Sequence, residues 1–316
     1  MIYAGIDEAG YGPLLGPLCV GTSAFRVPDG GDPASAPDLW ALLSPGICRK
    51  PKDARRRIAV ADSKKLKSAG KQPLVHLERG VLAFGSRELA TDAELFAELG
   101  VHARASRSAP WHALELPLPE CHTQDELSIA RSVVRRALGE AGVELLLQSV
   151  AALDAAAFNK LYRELANKAH VNMSLVFEGV RRIELMRGEE PAFVAVDRQG
   201  GRASYARELE EHVARGSRVR VIDESDERSS YEVGTGLFVS FEIEAEERHL
   251  PVALSSMGAK YVRELFMRRL NAFFIERMPG LAPTAGYVED GRRFLSEVKP
   301  ILARESIPEH DFVRVV

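Results

Sequence analysis

An α/β fold is what the chain predicts, and two observations carry that prediction. Short apolar stretches rich in β-branched and aromatic residues, Ile2 to Asp7 and Ala192 to Asp197 among them, alternate with segments of helical periodicity. Three of the stretches expected to be strands also end in, or run into, carboxylates: Asp7 with Glu8, Asp197, and Glu246.

In chain order, Ile2 to Asp7 predicts a buried strand that leaves into the turn Ala9-Gly10-Tyr11-Gly12-Pro13, and Leu14 to Phe25 predicts a second apolar strand. From Val27 to Arg57 the chain is rich in Pro, Gly, Asp and Ala and carries the basic run Arg55, Arg56 and Arg57, the composition of a surface insertion. Ser63 to Gly100 is amphipathic and mostly helical. A helix is expected over Glu126 to Leu138, with Leu127, Ile129, Val133 and Val134 on one side. Another runs from Asp154 to Leu185, broken near Asn172, with Phe158, Leu161, Tyr162 and Leu165 at helical spacing. Ala192 to Asp197 is the next strand, followed by a helix near Ser204 to Ala214 and a strand at Val219 to Ile222. Leu237 to Glu246 alternates: Leu237, Val239, Phe241, Ile243 and Ala245 face one way, and Ser240, Glu242, Glu244 and Glu246 the other. A long helix is expected from Ser256 to Met278. No linker long enough to separate two cores interrupts residues 1–316, so one domain is expected, with insertions near 27–57 and 200–236.

The bulk properties exclude several classes of function. The chain has 316 residues, 46% of them hydrophobic, enough for a packed core. Its formal net charge of -3 gives no global footprint for a nucleic-acid partner, so any such binding must come from local clusters. Cys19, Cys48 and Cys121 lack disulfide-framework or zinc spacing and predict reduced thiols in a cytoplasmic protein. The amino terminus reaches an acid by residue 7 without a basic start and apolar run, and no stretch nears the roughly 20 apolar residues of a membrane span. Secretion and membrane insertion are therefore not expected.

Carboxylates converging from rigid strand ends suit divalent Mg or Mn, which prefer hard oxygen ligands and in pairs can clamp both oxygens of a phosphoryl displacement. Adjacent residues of a strand point to opposite faces, so Asp7 and Glu8 can share a site only if the strand stops there. Gly10 is expected to supply that stop. Taken alone, an Asp-Glu pair before a glycine is the solvated end of a strand.

The surrounding residues carry more. Gly5-Ile-Asp-Glu-Ala-Gly-Tyr-Gly-Pro-Leu-Leu-Gly-Pro-Leu18 resembles the opening motif of ribonuclease HII, Asp62-Ser-Lys-Lys-Leu66 its second motif, and Val196-Asp197 its third acid. Ala253-Leu-Ser-Ser-Met-Gly-Ala-Lys260 resembles its Ala-Ser-x-x-Ala-Lys helix start, and Gly286-Tyr287 a late Gly-Tyr. All five stand in the family's order, over about half the chain. The resemblance implies a ribonuclease H-like fold with a central mixed sheet flanked by helices and a C-terminal helical part. It implies hydrolysis of the RNA strand of RNA/DNA hybrids, or at ribonucleotides embedded in duplex DNA, leaving 5'-phosphate and 3'-hydroxyl ends. Asp7, Glu8 and Asp197 would hold divalent metal, Mg or Mn. The family's fourth acid stands ten positions before the helix serine, which selects Glu246 where the family has Asp; Glu244, Glu247 and Asp223 stay open as rivals.

For the substrate, Gly10 and Gly12 flank Tyr11 in a turn whose backbone can approach a 2'-hydroxyl, although the family has Arg at the central position. Lys64 suits a phosphate contact, against the plain reading of solvated surface. Ser256 and Lys260 stand with Arg263 on one face of a helix whose amino terminus favours phosphate, while Met257, Tyr261, Leu265 and Leu270 face the core. Tyr287 is placed to stack on a sugar or base. A monomer is expected. Two other readings remain: a nuclease of the same fold acting on DNA structures, and a catalytically inactive nucleic-acid-binding homologue.

Overall fold

A computed structural model describes residues 1–28, 34–66, 72–101, 109–198, 200 and 202–315. Parts of both expected insertions, and of the helical stretch after Ser63, lie outside the described residues. Strands β1 (Ile2–Ala9), β2 (Leu18–Arg26), β5 (Glu144–Leu153), β6 (Ala192–Asp197), β7 (Val219–Glu224), β8 (Arg228–Val233) and β9 (Leu237–Glu242) form one seven-stranded sheet, in the order β5-β2-β1-β6-β9-β8-β7. Two short strands, β3 (Ile47–Cys48) and β4 (Ile58–Ala59), pair separately. Helices α1 (Leu39–Leu42), α2 (Val75–Ala83), α3 (Asp92–Glu98) and α4 (Gln124–Glu140) precede β5, and α5 (Ala155–Leu165) and α6 (Lys168–Arg187) lead from it to β6. After α7 (Ala206–His212) come α8 (Ala245–Arg248), α9 (Leu250–Arg277), α10 (Val288–Arg304) and α11 (Glu309–Phe312).

The sheet is mixed. β1 runs parallel to β6 and β6 to β9, while β2 is antiparallel to both β1 and β5. Central strands covered on both faces are expected to be almost continuously apolar. β1 meets that condition: Ile2, Ala4 and Ile6 pack with Val176 and Val180 of α6, and Tyr3 packs with Leu250 and Val252 of α9 on the other face. A third apolar cluster, around Trp111, Phe274, Phe294 and Phe312, holds the C-terminal helices to residues Leu14 and Leu15 after the first turn.

Two glycines let α9 lie directly on the sheet. A Cβ on Gly5 would stand 2.1 Å from the Val252 nitrogen, and one on Gly21 would stand 2.2 Å from the Ser255 carbonyl oxygen. The hydroxyl of Ser255 uses this approach to donate to the Gly5 carbonyl at 2.8 Å. Gly5→Ala, which must push backbone from backbone, is expected to cost about 3 kcal/mol or more in chemical denaturation. An unchanged unfolding midpoint would contradict the close packing.

Several elements depart from the sequence expectation. Gly16, at φ +81°, and Pro17 hold residues 14 to 17 off the ladder, so the second strand begins at Leu18. The helix after Asp154 is two helices, and the break lies at Ala166, in the left-handed region at φ 52°, with Asn167 capping α6; Asn172 is buried inside α6. Ile129 points outward at 64% exposure, because Ala130, Val134 and Ala137 make the inner face of α4 with Leu127. Glu144 to Leu153, a leucine- and alanine-rich run with no alternating pattern, was not expected to be a strand and forms β5. The alternating stretch from Leu237 stops at Glu242: Glu244 turns into the left-handed region at φ 53°, which leaves Ile243 exposed and puts Glu246 on the short helix α8. The long helix begins at Leu250, six residues before Ser256, with Pro251 in its first turn.

Candidate metal centre

The parallel register of β1 and β6 pairs Ile6 with Val196, so the next residues, Asp7 and Asp197, emerge side by side at the carboxyl ends of two central strands. Carboxylate oxygens of Asp7, Glu8 and Asp197 lie within 4.8 Å of one another. The strand does not stop at Glu8 as expected; β1 stays paired with β2 through Ala9 and leaves only β6 after Ile6. Freed on that side, the longer glutamate arm reaches the same space as Asp7. The amide of Glu8 donates to Asp7 Oδ1 at 2.7 Å.

Glu246 joins from α8. The amide of Ala245 donates to Asp197 Oδ1 at 3.0 Å, fixing the start of α8 against the end of β6, and the Glu246 carboxyl stands beside Asp197. The Glu246 Oε2 is buried and has no hydrogen-bond partner among the described residues. The rival acids are engaged elsewhere. Glu247 is exposed and ion-paired with Lys65, Glu244 is an exposed turn residue, and Asp223 pairs with Arg228 at 3.2 Å on the outer β7–β8 hairpin. Asp223 and Glu224 stand at the end of β7 rather than in a loop.

Electrostatic crowding marks the cluster. Burial, then the charges of Glu8 and Asp197, push the Asp7 carboxyl well above the usual carboxylate range. Burial and the neighbouring Glu246 push Asp197 up to about 8. Glu242, across the ladder from Asp197, is treated differently: burial would raise it, but hydrogen bonds from His249 and Ser240 hold it down at about 2. Lys64 is a cation that feels the cluster's charge; burial opposes its own charge, yet Asp62, Glu246, Asp7 and Asp197 raise its pKa. An all-oxygen set of four crowded carboxylates, one with an orphaned buried oxygen, fits a hard divalent cation and suits a soft one poorly. Asp7, Glu8 and Asp197 converge closely enough to hold such an ion together, and Glu246 adjoins them.

Other expected site residues surround this cluster at differing distances. Ser256 places its hydroxyl within reach of Asp7 and 3.1 Å from Ser63 Oγ. It lies in the second turn of α9, so it offers no helix amino terminus, and the first residues of that helix are buried. Lys260 is in an ion pair with Glu264 at 2.7 Å, and Arg263 is buried, donating to the Ala285 carbonyl at 3.0 Å. Gly10 takes φ +88°, and a Cβ there would meet the Pro17 carbonyl at 2.6 Å; at Gly12 a Cβ would meet nothing. Tyr11 is half-buried, its hydroxyl pKa raised by burial and then by Glu8. Tyr287 is 53% exposed beside this turn, since the Gly286 carbonyl accepts from the amides of Leu14 and Leu15.

Three residues given no site role by the sequence also belong here, although Ser63 lies within the second motif. Ser63 bridges to Ser256. Arg314 is buried beneath the turn, donating to the carbonyls of Gly10, at 2.6 Å, and Pro13. Lys168 lies over the Tyr11 ring. Arg314 stands 304 residues from Gly10, and no local pattern announces such a pairing.

A mixed sheet whose central parallel strands deliver carboxylates side by side at their carboxyl ends makes this chain an α/β protein with a candidate metal centre. It is similar in structure to ribonuclease HII of Archaeoglobus fulgidus, solved in complex with PCNA, at 19% identity over 100% of this chain and 94% of that one, with a TM-score of 0.44. It is also similar to ribonuclease H2 of Pyrococcus horikoshii, at 15% identity over 99% and 92% of the two chains, with a TM-score of 0.45. A third likeness is to Bst-RNase HIII in complex with Mn2+, at 16% identity over 99% and 66%, with a TM-score of 0.42. No protein-family model matches the chain, and no curated protein matches it. No helix among the described residues is long and apolar enough to cross a membrane.

Proposed function

We propose that the protein is a cytoplasmic, monomeric endoribonuclease that hydrolyses the RNA strand of RNA/DNA hybrids, or at ribonucleotides embedded in duplex DNA. The observation that carries this reading is the convergence of Asp7, Glu8 and Asp197 within 4.8 Å, beside the orphaned buried oxygen of Glu246. Two Mg or Mn ions held by these four carboxylates would supply an activated water and charge stabilisation for the departing 3'-oxygen. The chain's own residues do the rest. Ser256 and the Glu8 amide hold Asp7 in place, and the Ala245 amide holds Asp197. Lys64 faces the carboxylates and is suited to a phosphate oxygen of the strand being cut. The Gly10-Tyr11-Gly12 turn offers backbone groups to a ribose 2'-hydroxyl, which both donates and accepts. Tyr287 presents an exposed ring for a sugar or base.

The test is a substrate panel of RNA/DNA hybrid, duplex DNA with a single ribonucleotide, all-DNA duplex and branched DNA, each with Mg, Mn or EDTA. Cleavage of the first two alone, metal-dependent and leaving 5'-phosphate and 3'-hydroxyl ends, is expected. Preferential cutting of branched DNA would transfer the reading to a DNA nuclease of the same fold. No cleavage of any substrate would refute the nuclease reading.

A further inference from the structure

A cavity of about 420 Å³ adjoins the acid cluster, lined in part by Glu8, Tyr11, Ala169, Met173 and Asp197. Next to the lining residue Ala169, the ammonium of Lys168, the first residue of α6, lies 4.8 Å from the centroid of the Tyr11 ring, which itself lines the cavity. This is an unusual position for a lysine. It is half-buried, and among the described residues it forms no ion pair. The charged group acting on it is another cation, the buried Arg314; burial first, and that charge second, push its pKa down. Among the described residues it is the π face of Tyr11 that favours the ammonium, and a partly exposed cation–π contact is worth about 0.5 to 1 kcal/mol. Among the described residues neither Lys168 nor Arg314 is ion-paired with a carboxylate, so two cations stand at this turn beside a cavity that Arg198 and Arg202 also line. An anion fits there, and an ammonium is a compact partner for a phosphate oxygen.

We propose that Lys168, braced by the Tyr11 ring, binds a phosphodiester group of the nucleic-acid strand that enters this cavity beside Asp7, Glu8 and Asp197. The proposal rests on the nuclease reading and adds to it a contact, contributed by α6, that positions the strand. It also gives Tyr11 a role. The ring orients a cation on the substrate side of the turn, and its own hydroxyl stays near Glu8.

The experiment measures binding of a fluorescent RNA/DNA hybrid to the full chain across a KCl series, with Ca2+ in place of Mg or Mn to prevent cleavage. Wild type, Lys168→Gln and Lys168→Arg are compared, with thermal midpoints taken alongside. A lysine that neutralises one phosphate contributes about 0.9 to the slope of log K against log salt. Lys168→Gln should therefore show a slope shallower by about that amount and binding roughly fivefold weaker at low salt, while Lys168→Arg keeps the wild-type slope. A folded Lys168→Gln protein with the wild-type slope and affinity overturns the phosphate contact and leaves the nuclease reading intact. Wild-type protein that neither binds nor cuts the hybrid overturns both.

Discussion

Asp7→Asn should lower metal-dependent hybrid cleavage by about a thousandfold or more, the scale of removing about 4 kcal/mol of transition-state stabilisation. The substitution is nearly isosteric. Asparagine keeps an oxygen to accept from the Glu8 amide, so β1 and its register with β6 need not change. What is lost is a negative charge at the point where three carboxylates meet within 4.8 Å. The same change should make the metal-free protein more stable, since burial and like charge already disfavour the ionised form of Asp7. Loss of activity with gain in melting temperature separates a functional carboxylate from a structural one. A variant that cleaves at the wild-type rate would sink the assignment, and one that is inactive because it is unfolded would be recognised by circular dichroism.

A large effect is also expected from pH on the metal-free protein. Asp197 has an ordinary pKa of 3.8 when unfolded and about 8 in the fold, and Asp7 shifts in the same direction. Between those values the folded state holds more protons than the unfolded one, so stability falls as pH rises, by up to about 1.4 kcal/mol per pH unit for each group. His112, buried and pushed down to about 4, opposes this trend below its ordinary 6.5, because there the unfolded chain takes the proton. Glu242, held at about 2, also loses its contribution only as pH falls below its ordinary 4.5. The acid cluster is therefore read cleanly between pH 6.5 and 8. In EDTA the melting temperature should drop across that window. In saturating Mg or Mn it should not, because bound metal requires the deprotonated carboxylates and displaces their protons. A flat profile in EDTA would show that the carboxylates are not crowded as described.

Much of the fold was legible because its central strands are short, apolar and terminated. The run Ala192 to Asp197 reads as a strand from its composition, and its final carboxylate lies where the parallel register with β1 puts it. Glu246 was selected by spacing but assigned the wrong element, since alternation through residue 246 gave no sign that Glu244 would take a left-handed conformation. Ser256 was set at a helix start for a related reason: Pro251, a good first-turn residue, marks the true beginning at Leu250. β5 escaped notice because leucine and alanine favour helices, and its pairing with β2 is a tertiary effect. Lys168 and Arg314 were illegible for a simpler reason. Lys168 meets the Tyr11 ring and Arg314 the Gly10 and Pro13 carbonyls, and such contacts are a property of three-dimensional surroundings.

The arginine under the turn also bears on the order in which the protein becomes competent during synthesis. All four carboxylates have been made once residue 246 is polymerised, but the Gly10 and Pro13 carbonyls await a donor from residue 314, which arrives with the Leu15–Val313 bridge. Contacts between such distant parts of a chain form late and slowly. A ribosome-bound chain thus carries its acids well before the turn beside them is braced.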